Sequence, residues 1–465
     1  MKVWSADEDV KGMLSKYVKI KDGSLTVLDD RGLREKMWEI VWNAVFNTDE
    51  SMRTFARWVI WEAAGALGIV PSSIHDLYMA RARGEYSGVT VPAINIRGMT
   101  FDVASCVFRT LIRCNTNMCI FEIARSEIDY TMQRPSEYAT SILAAAIREG
   151  YRGPVFIQGD HFQANLKRWK EDPAGEMASL RALIEEAVNA GFYNIDIDAS
   201  TLVDMSVADA LKQQENNYTV TAELLHHIRE IEPSGVTISV GGEIGEVGGR
   251  NSTIEDLIAY LSGLDKLKER YGIDSGLSKV SVQTGTSHGG VVLPDGTIAK
   301  VKIDFDVLSK LGAECRRRGI GGVVQHGAST LPDEAFHHFP KHETLEVHLA
   351  TGFQNIIMDS KHLPHEFRQR IYRWLNQTCQ RERKPDDTDE QFYYKTRKKG
   401  FGPFKKEWWG LSDDVKKPIM EELEGVFEKM FAELGIRDKK GLTEKFIKTP
   451  FHHKRPAVNL GSLLE

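Results

Sequence analysis

The chain has 465 residues, with 60 Lys and Arg against 66 Asp and Glu, a formal net charge of -6, and 42% hydrophobic residues. That length can bury a large core, as one big α/β domain with extensions or as roughly two to three smaller ones. The acidic balance argues against nucleic acid or an anionic membrane as the main partner, because those surfaces need clustered positive charge.

The N-terminus, MKVWSADEDVKG, has acidic residues where a signal peptide needs a basic start and an apolar stretch. No window reaches the ~18 uncharged apolar residues of a membrane span. The five cysteines (Cys106, Cys114, Cys119, Cys315, Cys379) include no CxxC pair. A disulfide framework is therefore not expected, and a reducing cytoplasm fits best.

In chain order, LREKMWEIVWNAVF and MRTFARWVIWEAAGALGI read as Trp- and Ala-rich helices, giving a helical N-terminal extension over residues 1–84. Short apolar, β-branched runs follow as VTVPAINI (89–96), MCIFEI (118–123), PVFIQG (154–159) and NIDIDAS (194–200). They continue as VTISVGGEIG (236–245), KVSVQTGT (279–286), GGVVQHGA (321–328) and FQNIIMDS (353–360). Most gaps hold a helical pattern, such as MASLRALIEEAVNAGF or FDVLSKLGAECRRRG. Alternating strands and helices imply parallel pairing through right-handed crossovers.

Eight such units suit a (β/α)8 TIM barrel, predicted over residues 85–365, and a doubly wound open sheet is the alternative. A Rossmann fold is disfavoured, because no GxGxxG follows the first strand and opens a helix. Residues 366–465 read as a helical C-terminal extension packing on the barrel or at an oligomer interface, with a loop around KPDDTDEQ.

Chemistry in a barrel of this kind gathers at the carboxyl ends of the strands, where the loops converge on one mouth. This chain puts Asp160 and His161 after strand three, Asp198 and Ser200 after strand four, and Glu243 on strand five. Strand six ends in TSHGG with His288, strand seven in HGAST with His326, and the expected strand eight carries Asn355 and Asp359. A lone strand-end histidine is usually a hydrogen-bonded structural residue. Three from different strands, each beside Gly or Asp, point to a catalytic metal, because three neutral imidazoles with an open fourth position suit Zn2+.

GDH, IDAS, EIGEVGG, GTSHGG, QHGAS and the Asn-containing last run resemble, in order and spacing, the class II (metal-dependent) fructose-bisphosphate aldolase family. The resemblance covers about residues 85–360. GFGPFKKEWWGL is similar to a segment of longer members, and FEIARSEIDYT has a weaker likeness to tagatose-bisphosphate aldolase accessory subunits. The resemblance implies that His161, His288 and His326 bind Zn2+ or another divalent metal, with Asp198 and Glu243 as second-layer or alternative ligands. Asp160 would be the acid/base group at the C4 hydroxyl, and Gly289, Gly327, Ser329 and Asn355 would line the ketose end.

The implied reaction is cleavage or formation of a carbon-carbon bond in a ketose (bis)phosphate, through a metal-stabilised enediolate. Fructose 1,6-bisphosphate, giving dihydroxyacetone phosphate and glyceraldehyde 3-phosphate in carbohydrate metabolism such as glycolysis, is the leading substrate. Another sugar or sugar phosphate, or a noncatalytic accessory subunit, is the alternative. Family members are usually dimers or larger, so a homo-oligomer is expected.

Three features depart from the family pattern. The N-x-D-T-D of the last strand becomes Asn355-Ile356-Ile357-Met358-Asp359, the Lys after the strand-six HG is replaced by apolar residues, and glutamates after the ELGxxGG-like loop are Arg250 and Asn251. Metal chemistry is thus expected to be retained with two phosphate-holding features missing.

Overall fold

The structure, a computed structural model, describes residues 3–4, 7–245, 250–285, 293, 303–328 and 331–455. After a short helix, Asp7–Leu14, comes a hairpin of β1 (Val18–Lys21) and β2 (Ser24–Val27), turned at Asp22 and Gly23, both with positive φ. Two helices follow, Asp30–Phe46 and Glu50–Ala66. Asp29 and Asp49 cap them by accepting from backbone N-H groups of the first turn. The extension is therefore not wholly helical. A further short strand, β3 (Ile69–Pro71), runs parallel to the start of the third barrel strand, outside the barrel ring.

The barrel consists of β4 (Val91–Asn95), β5 (Ile120–Ala124), β6 (Gly153–Gln163), β7 (Asn194–Asp198), β8 (Ser239–Gly245), β9 (Lys279–Val282), β10 (Val323–Gln325) and β11 (Glu346–Leu349). Each pairs in parallel with the next, and β11 pairs with β4, so the sheet closes. This is the expected (β/α)8 barrel. Residues alternate along the strands with period two. Ile94, Phe121, Ile157, Ile195, Val280, Val324 and Val347 are buried apolar positions, and the residues between them carry most of the polar groups.

The eighth strand lies earlier than the sequence reading placed it. FQNIIMDS belongs to the helix Thr351–Asp359, with Phe353, Ile357 and Met358 buried at helical spacing. The strand is instead Glu346–Leu349, whose flank TLEVHL alternates polar and apolar residues. FQNIIMDS is the more apolar of the two runs, but its spacing is that of a helix face.

The C-terminal residues wrap the barrel. Helix Asp413–Glu433 packs on helix Thr100–Arg113, and Lys416 Nζ reaches the buried Asp102 at 3.2 Å. The strap 447–455 closes onto helix Glu50–Ala66, where the indoles of Trp58 and Trp61 donate to the carbonyls of Lys454 and His452, each at 2.9 Å. All five cysteines are buried and free. No helix among the described residues is long and apolar enough to cross a membrane.

Candidate metal and substrate site

Neighbouring residues on a strand ordinarily point to opposite faces, so Asp160 and His161 should not share one cavity. They do so because β6 carries a bulge: its register against β7 shifts between Gly159 and Phe162, and His161 sits at φ +40°, the left-handed region that a non-glycine residue seldom occupies. Gly159 permits this, since a Cβ there would lie 2.4 Å from the Phe162 ring. A second shift, between Glu243 and Gly245 on β8, helps bring the Glu243 carboxylate to 3.0 Å from His161 Nδ1.

The resulting cavity, of about 390 Å³, is lined by residues at the carboxyl ends of the strands. Asp160, His161, His326 and Gly327 all line it. Asp198 lies beside it, its Oδ2 3.0 Å from His161 Nδ1 and also accepting from the Gln163 amide. The imidazoles of His161 and His326 lie with ring centroids 4.2 Å apart. His288, Gly289 and Ser329 lie outside the described residues. Asn355 is not on the last strand: it sits on helix Thr351–Asp359, donating to the Tyr394 hydroxyl and accepting from Arg397.

The sequence reading missed His348. Its ring packs, tilted, against His326 (4.2 Å between centroids), Nδ1 lies 3.1 Å from Asp160 Oδ1, and Nε2 lies 2.5 Å from Glu346 Oε1. Beneath it, Lys279 Nζ contacts Glu346 at 2.5 Å, Gln158 at 2.7 Å and Asp196 at 3.0 Å. Six carboxylates (Glu122, Asp160, Asp196, Asp198, Glu243, Glu346) thus gather in the barrel interior around the ammonium of Lys279 and three imidazoles. The sequence signal for His348 was the alternation in TLEVHL.

The local fields are strong. Burial pushes the Asp160 carboxyl up, but the imidazoles of His161, His348 and His326 outweigh it and hold Asp160 well below the usual carboxylate range. Burial also lifts Glu243 to about 7, with Asp198 adding and His161 opposing. Asp196 is raised by burial to about 6 against the pull of Lys279. For Glu346 the balance reverses, and Lys279 and His348 overcome burial to hold it at about 2.

A floor this rich in carboxylates calls for cations. His161, Glu243 and His326 present ligand atoms within 4.8 Å of one another, and so do Asp160, His326 and His348. Imidazole nitrogen with carboxylate oxygen is a donor set that fits Zn2+ or a similar divalent ion. Asp198 and Glu243 both face His161 Nδ1 at 3.0 Å; a proton held there would leave the Nε2 lone pair to serve as the metal donor.

The rim carries the basic residues: Arg97, Arg125, Arg168 and Lys398 line the cavity, interleaved with Glu127 and Asp129. Arg97 pairs with Glu127 at 2.6 Å and Arg125 with the buried Glu176 at 2.5 Å. Glu127 also accepts from Asn95 (2.8 Å), which in turn donates to Asp160 Oδ2 (3.0 Å), so rim and floor are joined by hydrogen bonds. At the end of β11, Ala350 and Thr351 line the cavity, while Ile357 and Met358 are in the core.

The family model for class-II fructose-bisphosphate aldolase matches residues 78–398. Among curated proteins, none matches the chain in sequence. Solved structures similar to it include the fructose-bisphosphate aldolase of Campylobacter jejuni, 16% identical, with a TM-score of 0.45 over 78% of this chain and 94% of that one. The YdjI aldolase of Escherichia coli K12 is 14% identical, with a TM-score of 0.44 over 79% and 99%. A fructuronate-tagaturonate epimerase from Cohnella laeviribosi is 12% identical, with a TM-score of 0.50 over 75% and 82%. At these identities the likeness concerns the barrel and not the reaction.

Proposed function

Because the chain belongs to the class-II fructose-bisphosphate aldolase family, we infer that it cleaves and forms a carbon-carbon bond in a ketose phosphate, with fructose 1,6-bisphosphate the leading substrate. The observation that carries this reading is the placement of the Asp160 carboxylate beside the His161 and His326 donors in one cavity at the strand ends. His161 and His326 would hold the metal with Glu243, and with His288 by the family pattern. A divalent cation there supplies Lewis-acid stabilisation of the negative charge left on the ketose fragment, worth several kcal/mol.

Asp160 removes the proton from the substrate hydroxyl as the carbon-carbon bond breaks, and returns it in the reverse direction. Its depressed pKa keeps it ionised, and Asn95 and His348 fix one oxygen each. Asp198 and Glu243 set the ring of His161. At the ketose end, helix Thr351–Asp359 begins without a side-chain cap. Its first N-H groups, with Gly327 nearby, can take a phosphate.

The test is retro-aldol assay of the zinc-loaded protein on a panel of ketose phosphates that includes fructose 1,6-bisphosphate. Cleavage to dihydroxyacetone phosphate and an aldehyde is expected, abolished by EDTA and restored by zinc. A zinc-loaded protein that cleaves no ketose phosphate would sink the reading in favour of an accessory subunit.

A further inference from the structure

A second group of imidazoles lies outside the barrel, on the stretch between β10 and β11. Residues 336–343 read FHHFPKHE, with histidines at 337, 338 and 342. His338–Lys341 is a single helical turn, and the His342 N-H donates to the His338 carbonyl at 2.9 Å. Residues four apart on a helical turn face the same way, with Cβ atoms about 5–6 Å apart. His338 and His342 accordingly lie with ring centroids 6.1 Å apart, and both are only partly buried.

The neighbouring helix, Phe305–Arg317, prepares this pair in two ways. The Phe305 ring packs against both imidazoles, 5.1 Å from each centroid, and so limits where they can turn. Ser309 Oγ lies 3.0 Å from His342 Nδ1 and 3.4 Å from the His342 carbonyl oxygen. The hydroxyl has one proton to donate, and the carbonyl can only accept it. Ser309 Oγ is then left to accept from Nδ1-H, which puts the His342 lone pair on Nε2. A histidine held through one nitrogen while the other is free to donate is the arrangement found behind bound metals. His337 is turned elsewhere, its Nδ1 3.6 Å from Glu433 Oε2.

We propose that His338 and His342 form a second transition-metal site, a two-imidazole chelate for Zn2+, Ni2+ or Cu2+ with water in the remaining positions. Imidazole nitrogen suits these ions and binds zinc at about 2.0–2.1 Å. Centroids 6.1 Å apart are slightly wider than such bonds ask, and a small rotation of either side chain closes the gap. The site shares no residue with the cavity at the strand ends and does not depend on the aldolase reading. With only two protein ligands it is the weaker of the two sites, and the chain takes up one more equivalent of zinc than the barrel cavity holds.

The experiment is a zinc titration of the untagged, EDTA-stripped chain by calorimetry, in wild type, His338→Gln, His342→Gln, Ser309→Ala and His161→Gln. Wild type is expected to show a tighter and a weaker equivalent. His338→Gln and His342→Gln should each lose the weaker one, Ser309→Ala should weaken it by about 10-fold, and His161→Gln should keep it. The untagged chain should also be retained on an immobilised nickel column, and either His338→Gln or His342→Gln should abolish retention.

A weaker equivalent that is missing from wild type, or that survives both His338→Gln and His342→Gln, overturns the proposal. So does nickel retention that both variants keep. Failure of the tighter, His161-dependent equivalent to appear would count against the aldolase reading alone, since the weaker one is read separately.

Discussion

The floor of the barrel mouth is built from barrel strands and its rim from the helices and turns that follow them, and the two solve opposite electrostatic problems. On the floor, Glu122, Asp160, Asp196, Asp198, Glu243 and Glu346 crowd around Lys279 and three imidazoles. On the rim, Arg97 and Arg125 already have carboxylates and Lys398 brings a further positive charge. The floor is suited to a cation that takes up developing negative charge, and the rim to an anionic substituent that orients the substrate. A change on the floor should therefore affect every substrate alike, whereas a change on the rim should discriminate by substrate charge.

The largest effect is expected from Asp160→Ala. Loss of the proton-accepting group should lower kcat by roughly 10²- to 10⁴-fold, with charged and uncharged acceptors affected equally and bound zinc retained. Metal analysis of the variant beside its kcat checks both halves. A variant that keeps full activity would remove Asp160 from the chemistry.

Next comes the layer beneath. Lys279 is fully buried and compensates Glu346 and Asp196. Lys279→Met leaves those carboxylates without their cation and should cost about 3–5 kcal/mol in urea unfolding. A loss below about 1 kcal/mol would mean that the carboxylates are neutral and the floor is not an ionic network.

The smallest effect should fall at the other end of the barrel and leave both floor and rim untouched. His75 is buried near Ser275, and burial, with Arg229 adding, holds its pKa down at about 4. The folded state keeps His75 neutral, whereas the unfolded chain binds a proton below about pH 6.5. Its contribution is thus fully present above pH 6.5 and is lost as pH falls toward 4, at most about 3 kcal/mol. Stability measured from pH 7 to 4 should fall more steeply for wild type than for His75→Gln. Parallel curves would show that His75 is protonated in the folded state.

Most of the barrel was legible because seven of its strands are apolar runs bounded by glycine or polar residues, as in PVFIQG and KVSVQTGT. The eighth was not, because TLEVHL hides polar inward residues that only make sense inside a charged barrel, while FQNIIM is apolar enough to pass for a strand. His161 and His326 stood out through their glycine and aspartate neighbours. His348 did not, because it lies in a strand taken from a more polar run. The pairing of Lys279 with Glu346, and the entry of Lys398 into the mouth, join residues far apart in the chain. Local pattern carries no trace of such contacts, nor of the bulge that turns Asp160 and His161 to one side.

The central claim, that the floor performs carbanion chemistry with a bound divalent ion, is tested most directly by solvent exchange into dihydroxyacetone phosphate, which needs no knowledge of the aldehyde partner. In deuterium oxide, the zinc-loaded wild type should incorporate deuterium at the hydroxymethyl carbon, and EDTA should stop it. Absence of exchange in the metal-loaded protein, or exchange that persists unchanged after chelation, would contradict the account.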